Sequence, residues 1–116
     1  MKITSVEQVP LENVTMPGAA GCAYRVALSA KDGAPNFAMR FFEVNPGGNT
    51  PLHNHPYEHE IYVMEGAGTV WRDGREVAIK PGDVLFIPAD EKHQFKNTGS
   101  STFKFMCLIP AQFQKC

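Results

Sequence analysis

Histidine is the residue type in this sequence whose placement points to chemistry. The chain has four histidines; His53, His55 and His59 lie within seven residues of each other, and His93 comes from a separate segment. Neutral imidazole nitrogens are common ligands for transition metals. Buried rings without partners cost stability, whereas one ion satisfies several ring nitrogens at once. The clustering therefore predicts one metal site rather than four unrelated histidines.

Alternation of side chains along extended backbone decides which of these rings share a face. His53 and His55 are two residues apart, so on a strand both rings point to the same side. His59 shares its side with the apolar Ile61, which marks the inward face, whereas Glu60 points the other way. Glu60 is thus the less favoured candidate for the third ligand. The predicted metal ligands are His53, His55, His59 and His93.

Two glycine-bounded motifs around these histidines resemble those of the cupin superfamily of small β-barrels. The first family motif reads Gly-x5-His-x-His-x3or4-Glu-x6-Gly, and residues 47–66 match it with His59 in the glutamate position. The second reads Gly-x5-Pro-x-Gly-x2-His-x3-Asn, and residues 82–97 match it with Asp90 in place of the last glycine. Aspartate tolerates turn conformations, so that change is mild. The chain resembles the small subgroup of cupins that have four histidine ligands.

The resemblance implies an all-β fold, a jelly-roll barrel formed by a single cupin domain over residues 1–116 with core motifs at 47–66 and 82–97. It also implies one divalent transition metal, manganese or iron first, with copper, nickel or zinc as alternatives. Four neutral ligands leave the ion its full charge and, in six-fold coordination, two positions for substrate or dioxygen. Our first hypothesis is therefore a metal-dependent oxidoreductase of the dioxygenase type that acts on a small organic molecule.

Two other function classes stay open at this point. One is a non-redox Lewis-acid enzyme, such as an isomerase or decarboxylase, which needs a proton-transfer group near the ion. The inward-facing residues offer no clear carboxylate for that task. The other is a small-molecule-binding module without catalysis, a role that similar cupins have. The sequence favours an enzyme but assigns no catalytic residue beyond the metal site.

Alternation also predicts which side chains line a pocket around the ion. Glu43 and Lys104 are charged and mark the outer faces of their two strands, so residues of opposite parity face inward. An inward Arg40 would either bind a substrate carboxylate or form an ion pair at the barrel rim. Cys107 would be a small core residue or a thiol near the metal. The predicted pocket residues are Arg40, Phe42, Phe105 and Cys107.

The outer face of the same two strands is unusually apolar. Met39 and Phe41 lie on it in the first strand, and Met106 and Leu108 lie on it in the second. Extended apolar surfaces are typical of interfaces with another chain. We therefore expect a homodimer.

The remaining pattern predicts the strands that position these residues. Short β-branched and aromatic runs alternate with glycine, proline and Asp-Gly turns, and no run keeps helical periodicity. Many short strands in a small chain indicate a sandwich or barrel. The predicted strands cover residues 22–28, 37–44, 51–55, 59–64, 68–72, 75–79, 84–87, 93–97 and 103–108.

Composition excludes several partners. The 116 residues are 43% hydrophobic, enough for one core, and carry a net charge of −1. No strong charge field would attract nucleic acid or an anionic membrane, and no apolar run reaches the roughly 20 residues of a membrane helix. Cys22, Cys107 and Cys116 are too few for a disulfide framework and lack zinc-site spacing. We expect a cytoplasmic protein whose partner is a small molecule.

Overall fold

The computed structural model describes residues 1–114. Within this range nine strands form one curled antiparallel sheet, which confirms the all-β prediction, and three short 3-10 turns cover Val6–Gln8, Ala30–Asp32 and Ala111–Phe113. The strands are β1 (Glu12–Asn13), β2 (Ala20–Leu28), β3 (Phe37–Asn49), β4 (His59–Glu65), β5 (Gly68–Arg72), β6 (Arg75–Ile79), β7 (Val84–Ile87), β8 (Phe95–Asn97) and β9 (Phe103–Pro110).

No helix in the described range is long and apolar enough to cross a lipid bilayer. Cys116, which the sequence places at the chain end, lies outside the described residues.

Strands β3, β9 and β4 lie side by side and carry most of the core. The sheet order is β6-β5-β8-β3-β9-β4-β7, with β2 paired to β3 and β1 paired to β2. Along β9 buried residues alternate strictly with half-buried ones, beginning with the fully buried Phe103 and including Phe105 and Cys107. The inward face predicted from Lys104 is therefore confirmed.

The same alternation holds in the two neighbouring strands. In β4, His59 and Ile61 are buried while Glu60 is exposed, as the parity of the sequence predicts. In β3, Arg40 and Val44 are buried. Because β9 pairs with β3 on one side and β4 on the other, these inward side chains converge on one interior.

The strand predicted at residues 51–55 is wrong. Only His53 in this segment makes a β-bridge, and its partner is His93. Their backbone groups exchange two hydrogen bonds, of 3.1 Å from His53 N and 2.9 Å from His93 N. Pro51 lacks the N–H group that would extend the ladder towards Phe95. On the other side the Glu91 N–H donates to the Pro88 carbonyl oxygen and not to His55. Because the ladder is interrupted, the strand predicted at 93–97 is shorter and begins at Phe95.

Strand β3 is longer than predicted, because the Pro46-Gly47-Gly48 turn signal lies inside it. The backbone of β2 approaches closely there: a Cβ on Gly48 would lie 2.7 Å from the Ala20 carbonyl oxygen. Gly47 adopts a positive φ of 79°, so the strand bends without ending. The short strand β1 was not predicted, and the remaining predicted bounds differ from the observed ones by two residues or fewer.

The outer face is apolar over four strands. Met39 pairs with Leu108 and Phe41 with Met106, as expected from their shared parity, and all four are half-buried. The face continues on to β7, where Val84 and Phe86 are 77% and 62% exposed. A groove of about 650 Å³ crosses it between β3, β9 and β4.

Two motif glycines, Gly47 and Gly66, differ in how closely other backbone atoms approach them. Gly47 and Gly66 both have a positive φ, near 80°, but a Cβ on Gly66 would lie 2.5 Å from the Thr102 carbonyl oxygen, whereas one on Gly47 would meet nothing within 4 Å. Gly47→Ala should lower the free energy of unfolding by about 1–2 kcal/mol through backbone strain alone. Gly66→Ala should add roughly 1–3 kcal/mol of steric cost. Urea denaturation measures both; equal losses would contradict the predicted close approach.

Candidate metal centre

Four histidine rings meet inside the barrel. His59 begins β4, His53 and His93 face each other across their bridge, and His55 follows two residues after His53. The ring centroids of His55 and His59 are 4.5 Å apart. Four further pairs, His53–His55, His53–His93, His55–His93 and His59–His93, are separated by 5.0 or 5.1 Å. The structure thus brings together all four histidines that the sequence singled out.

Backbone carbonyls orient two of these rings. Nδ1 of His55 lies 2.8 Å from the Tyr57 carbonyl oxygen, and Nδ1 of His93 lies 2.8 Å from the Glu91 carbonyl oxygen. A carbonyl oxygen only accepts hydrogen bonds, so each Nδ1 must carry the hydrogen. Each Nε2 therefore keeps its lone pair. This is the arrangement in which histidine ligands of metals are commonly held.

The free ring nitrogens converge closely enough to share an ion. One ligand atom from each of His53, His55 and His93 lies within 4.8 Å of the other two. His59 joins this group through its Nε2, which lies 2.7 Å from Nε2 of His55. The donor chemistry, imidazole nitrogen throughout, suits the later first-row divalent metals. The residues present therefore fit a transition-metal ion.

Burial keeps these imidazoles neutral at neutral pH. Loss of solvent lowers the pKa of His53 to about 4 and that of His59 to about 2. It also lowers the pKa values of His55 and His93. The positive charge of Arg40 acts in the same direction on His53, His55 and His59. Neutral rings are the form that binds a metal.

A chain of contacts leads from the histidines to a buried arginine. Nδ1 of His59 lies 3.0 Å from Sγ of Cys107, and Nη2 of Arg40 donates to the same sulfur at 3.0 Å. Cys107 is 1% exposed, and burial raises the pKa of its thiol. Arg40 is 8% exposed, its Nε has no hydrogen-bond partner, and its guanidinium carbon lies 4.9 Å from the Phe42 ring centroid.

The histidines lie in a cavity of about 510 Å³, within the range of small-molecule sites. The structure places all four predicted pocket residues on its wall, and Phe42 stacks on Phe105 with ring centroids 5.1 Å apart. Sequence reasoning missed three aromatic wall residues. It also missed the segment 13–17, which has no strand pattern. The missed aromatic residues are Tyr24, Tyr57 and Phe95.

Tyr57 is the missed residue with the clearest role. Its ring stacks on that of His55 at 3.8 Å and on that of Phe113 at 4.4 Å, while its carbonyl orients the same histidine. The sequence signal that could have identified Tyr57 was its position, directly after Pro56 and between two histidines.

No aspartate or glutamate among the described residues lines the cavity.

The comparison with protein families decides what kind of barrel this is. Residues 40–109, which contain all four histidines, match the model of the cupin domain. The chain belongs to the cupin family. The match confirms the resemblance drawn from the two motifs, and the solved structures of cupins confirm the jelly-roll fold.

Three relatives of this cupin show how varied its neighbours are. The polyketide cyclase RemF from Streptomyces resistomycificus superimposes with a TM-score of 0.91 at 38% identity, over 96% of this chain and 80% of that one. The oxalate-binding protein of Thermotoga maritima is 34% identical over 94% of this chain and 93% of its own length. Quercetin 2,3-dioxygenase of Bacillus subtilis is 30% identical over 78% of this chain, but the match spans only 27% of that enzyme.

The two candidates for the third ligand can be separated by metal content. His59 is buried in the cluster, whereas Glu60 is exposed and borders the outer groove. We expect His59→Ala to weaken metal affinity by at least about 100-fold, since losing a residue that only orients a ligand already costs about 10–100-fold. Glu60→Ala, the matched control, should bind metal as the wild type does. Elemental analysis and a competitive chelator titration measure both, and the opposite ranking would exclude His59.

Proposed function

We propose that this cupin is a metal-dependent oxidoreductase of the dioxygenase type that acts on a small organic molecule within the barrel. The observation that carries the proposal is the convergence of four neutral imidazoles in an aromatic-walled cavity whose described residues include no carboxylate. His53, His55, His59 and His93 would hold the ion. Imidazole ligands suit iron, copper, nickel and zinc, and the relation to other cupins adds manganese, with manganese or iron as first choices. Such an ion supplies Lewis acidity and, where it is redox-active, electron exchange with dioxygen.

The chain's own residues supply binding and exclusion of water. The rings of Phe42 and Phe105 give the cavity wall a flat apolar surface. Tyr57, whose ring is stacked between those of His55 and Phe113, holds the His55 ring in place. The buried thiol of Cys107 contacts His59 from the side of β9, and so helps to fix the orientation of that ring. These groups favour a planar substrate that approaches the histidines from the open side of the cavity.

A second candidate is a non-redox Lewis-acid reaction, such as a cyclisation, isomerisation or decarboxylation. The likeness to the polyketide cyclase RemF favours it. The absence of a cavity carboxylate among the described residues weighs against it, because such reactions move protons and need a group to carry them. A third candidate is ligand binding without turnover, which the likeness to an oxalate-binding protein favours.

One experiment separates the three candidates. The protein is stripped with a chelator, reloaded with manganese, iron, copper, nickel or zinc, and tested in an oxygen electrode against quercetin and a panel of enolisable phenols and polyketones. Phenolic carboxylates such as salicylate are included among the phenols of the panel. We expect oxygen uptake with a redox-active metal, none with zinc, and a loss of at least about 100-fold in His53→Ala, because the reaction depends on the ion. Mass spectrometry should find both atoms of ¹⁸O₂ in the product.

The other outcomes identify the alternatives. A product of unchanged mass formed without oxygen would replace the proposal by the Lewis-acid candidate. Saturable binding with no product under any metal would replace it by the binding module. Glu60→Ala serves as the control variant, because its side chain lies on the outer face.

We further propose that a second copy of the chain covers the outer apolar face. That face runs across β3, β9, β4 and β7 and ends in the exposed Val84 and Phe86. A two-fold axis would set this surface against itself, which is the commonest way for such a patch to be buried. The unmodified protein should sediment as a dimer and Phe86→Lys as a monomer. Leu11→Lys, which changes an exposed residue outside this face, is the control; a monomeric wild type would contradict the proposal.

A further inference from the structure

We infer that the cavity selects a small planar carboxylate, whose carboxyl group is bound by Arg40 while its other end faces the histidine cluster. The inference names the substrate class for the proposed function and relies on it for the presence of a metal ion.

Positive charge in this cavity is not balanced by any acidic side chain of residues 1–114 that lines it. A guanidinium keeps its charge at any pH at which proteins are folded, and the four histidines are neutral ligands that cancel none of an ion's charge. The described residues of the wall include no aspartate or glutamate. A bound divalent ion and Arg40 together would carry about three positive charges into a largely apolar space. An anionic ligand removes that imbalance.

Arg40 also differs from its neighbour Arg25 in how its donors are used. Arg25, on the adjacent strand β2, donates to the Glu43 carboxylate at 3.2 Å and to the Val9 carbonyl oxygen at 2.6 Å. Arg40 is more deeply buried, yet no carboxylate in the described range pairs with it. Its Nη2 donates to the sulfur of Cys107, and its Nε has no partner.

An unpartnered donor of this kind is costly and calls for an acceptor. Burying a charged group without a charged partner costs stability, and the face of Phe42 offsets only part of that cost. A carboxylate accepts two parallel hydrogen bonds from a guanidinium, which is the strongest pairing available to arginine. The rim ion pair that the sequence left open for Arg40 is not observed among the described residues.

The position of Arg40 limits the size and shape of the ligand. Its Nη2 and Nδ1 of His59 are no more than 6 Å apart, because each lies 3.0 Å from the same sulfur. A short molecule can therefore span the guanidinium and the histidines. Phe42 and Phe105 stack within 10° of parallel beside Arg40, so the space favours a flat ligand.

The test compares a carboxylate with its neutral isostere on the zinc-loaded protein, which does not react with oxygen. Isothermal titration calorimetry measures the Kd of salicylate and of salicylamide. The wild type should bind salicylate at least about 10-fold more tightly, in keeping with a hydrogen bond between charged groups. Arg40→Met, which keeps the apolar stem, should weaken salicylate about 10–100-fold and change salicylamide less than about 3-fold. Arg40→Lys should recover part of the loss, because lysine restores the positive charge but cannot donate two parallel hydrogen bonds to a carboxylate.

Arg25→Met is the matched control, an arginine on the neighbouring strand whose partner lies outside the cavity; both Kd values should stay at the wild-type level. A wild type that binds the two compounds equally would overturn the inference without any variant being needed. An Arg40→Met protein with normal zinc content and unchanged preference for salicylate would also overturn it, and would leave Arg40 as a support for Cys107.

The calorimetry separates this inference from the proposed function. It involves no oxygen and no turnover, so a failed oxygen assay together with a carboxylate preference that depends on Arg40 would refute the oxidoreductase and retain the inference. Oxygen uptake by a protein without that preference would do the reverse.

Discussion

Burial of several imidazoles in one apolar interior is the constraint on which the rest of this structure depends. Each neutral ring carries one donor and one acceptor nitrogen, and removing them from water is costly unless both find partners. At His55 and His93 the backbone satisfies one of the two ring nitrogens, because a carbonyl oxygen accepts a hydrogen bond from Nδ1. The ring nitrogens that carry no hydrogen lie close to one another in the middle of the cluster. A metal ion would satisfy these nitrogens.

The barrel provides the geometry for this convergence through its long central strands. β9 pairs with β3 and β4 over most of its length, and so sets Cys107 between Arg40 and Ile61. His59, two residues before Ile61 on the same face of β4, reaches the Cys107 sulfur diagonally. The bridge between His53 and His93 brings the two motifs together at one point. Paired strands fix Arg40, Cys107 and His59, whereas His53, His55 and His93 lie in connections that the bridge between His53 and His93 holds together.

The charges around the cavity affect both the protonation of its histidines and the ligands that it can bind. Burial and the field of Arg40 both disfavour charged imidazoles, which keeps the rings ready to act as ligands. The same arrangement concentrates positive charge where no acidic side chain of the described residues balances it. A cavity of this kind selects by charge before it selects by shape. The chemistry of its relatives, which ranges from cyclase to dioxygenase to binding protein, fits a shared scaffold whose specificity lies in such wall residues.

Residue types and spacing are enough to predict the all-β class, the family, the clustering of the histidines and the inward faces of β3, β4 and β9. These follow from local rules: turn residues punctuate strands, and a period of two separates the faces. The sequence did not determine that residues 51–55 form a single bridge instead of a strand, because that depends on which backbone meets them. Tyr57 and the segment 13–17 join the cavity through contacts between distant parts of the chain. Whether Arg40 had a carboxylate partner was likewise decided only by the tertiary structure, since an ion pair depends on three-dimensional proximity that strand parity does not encode.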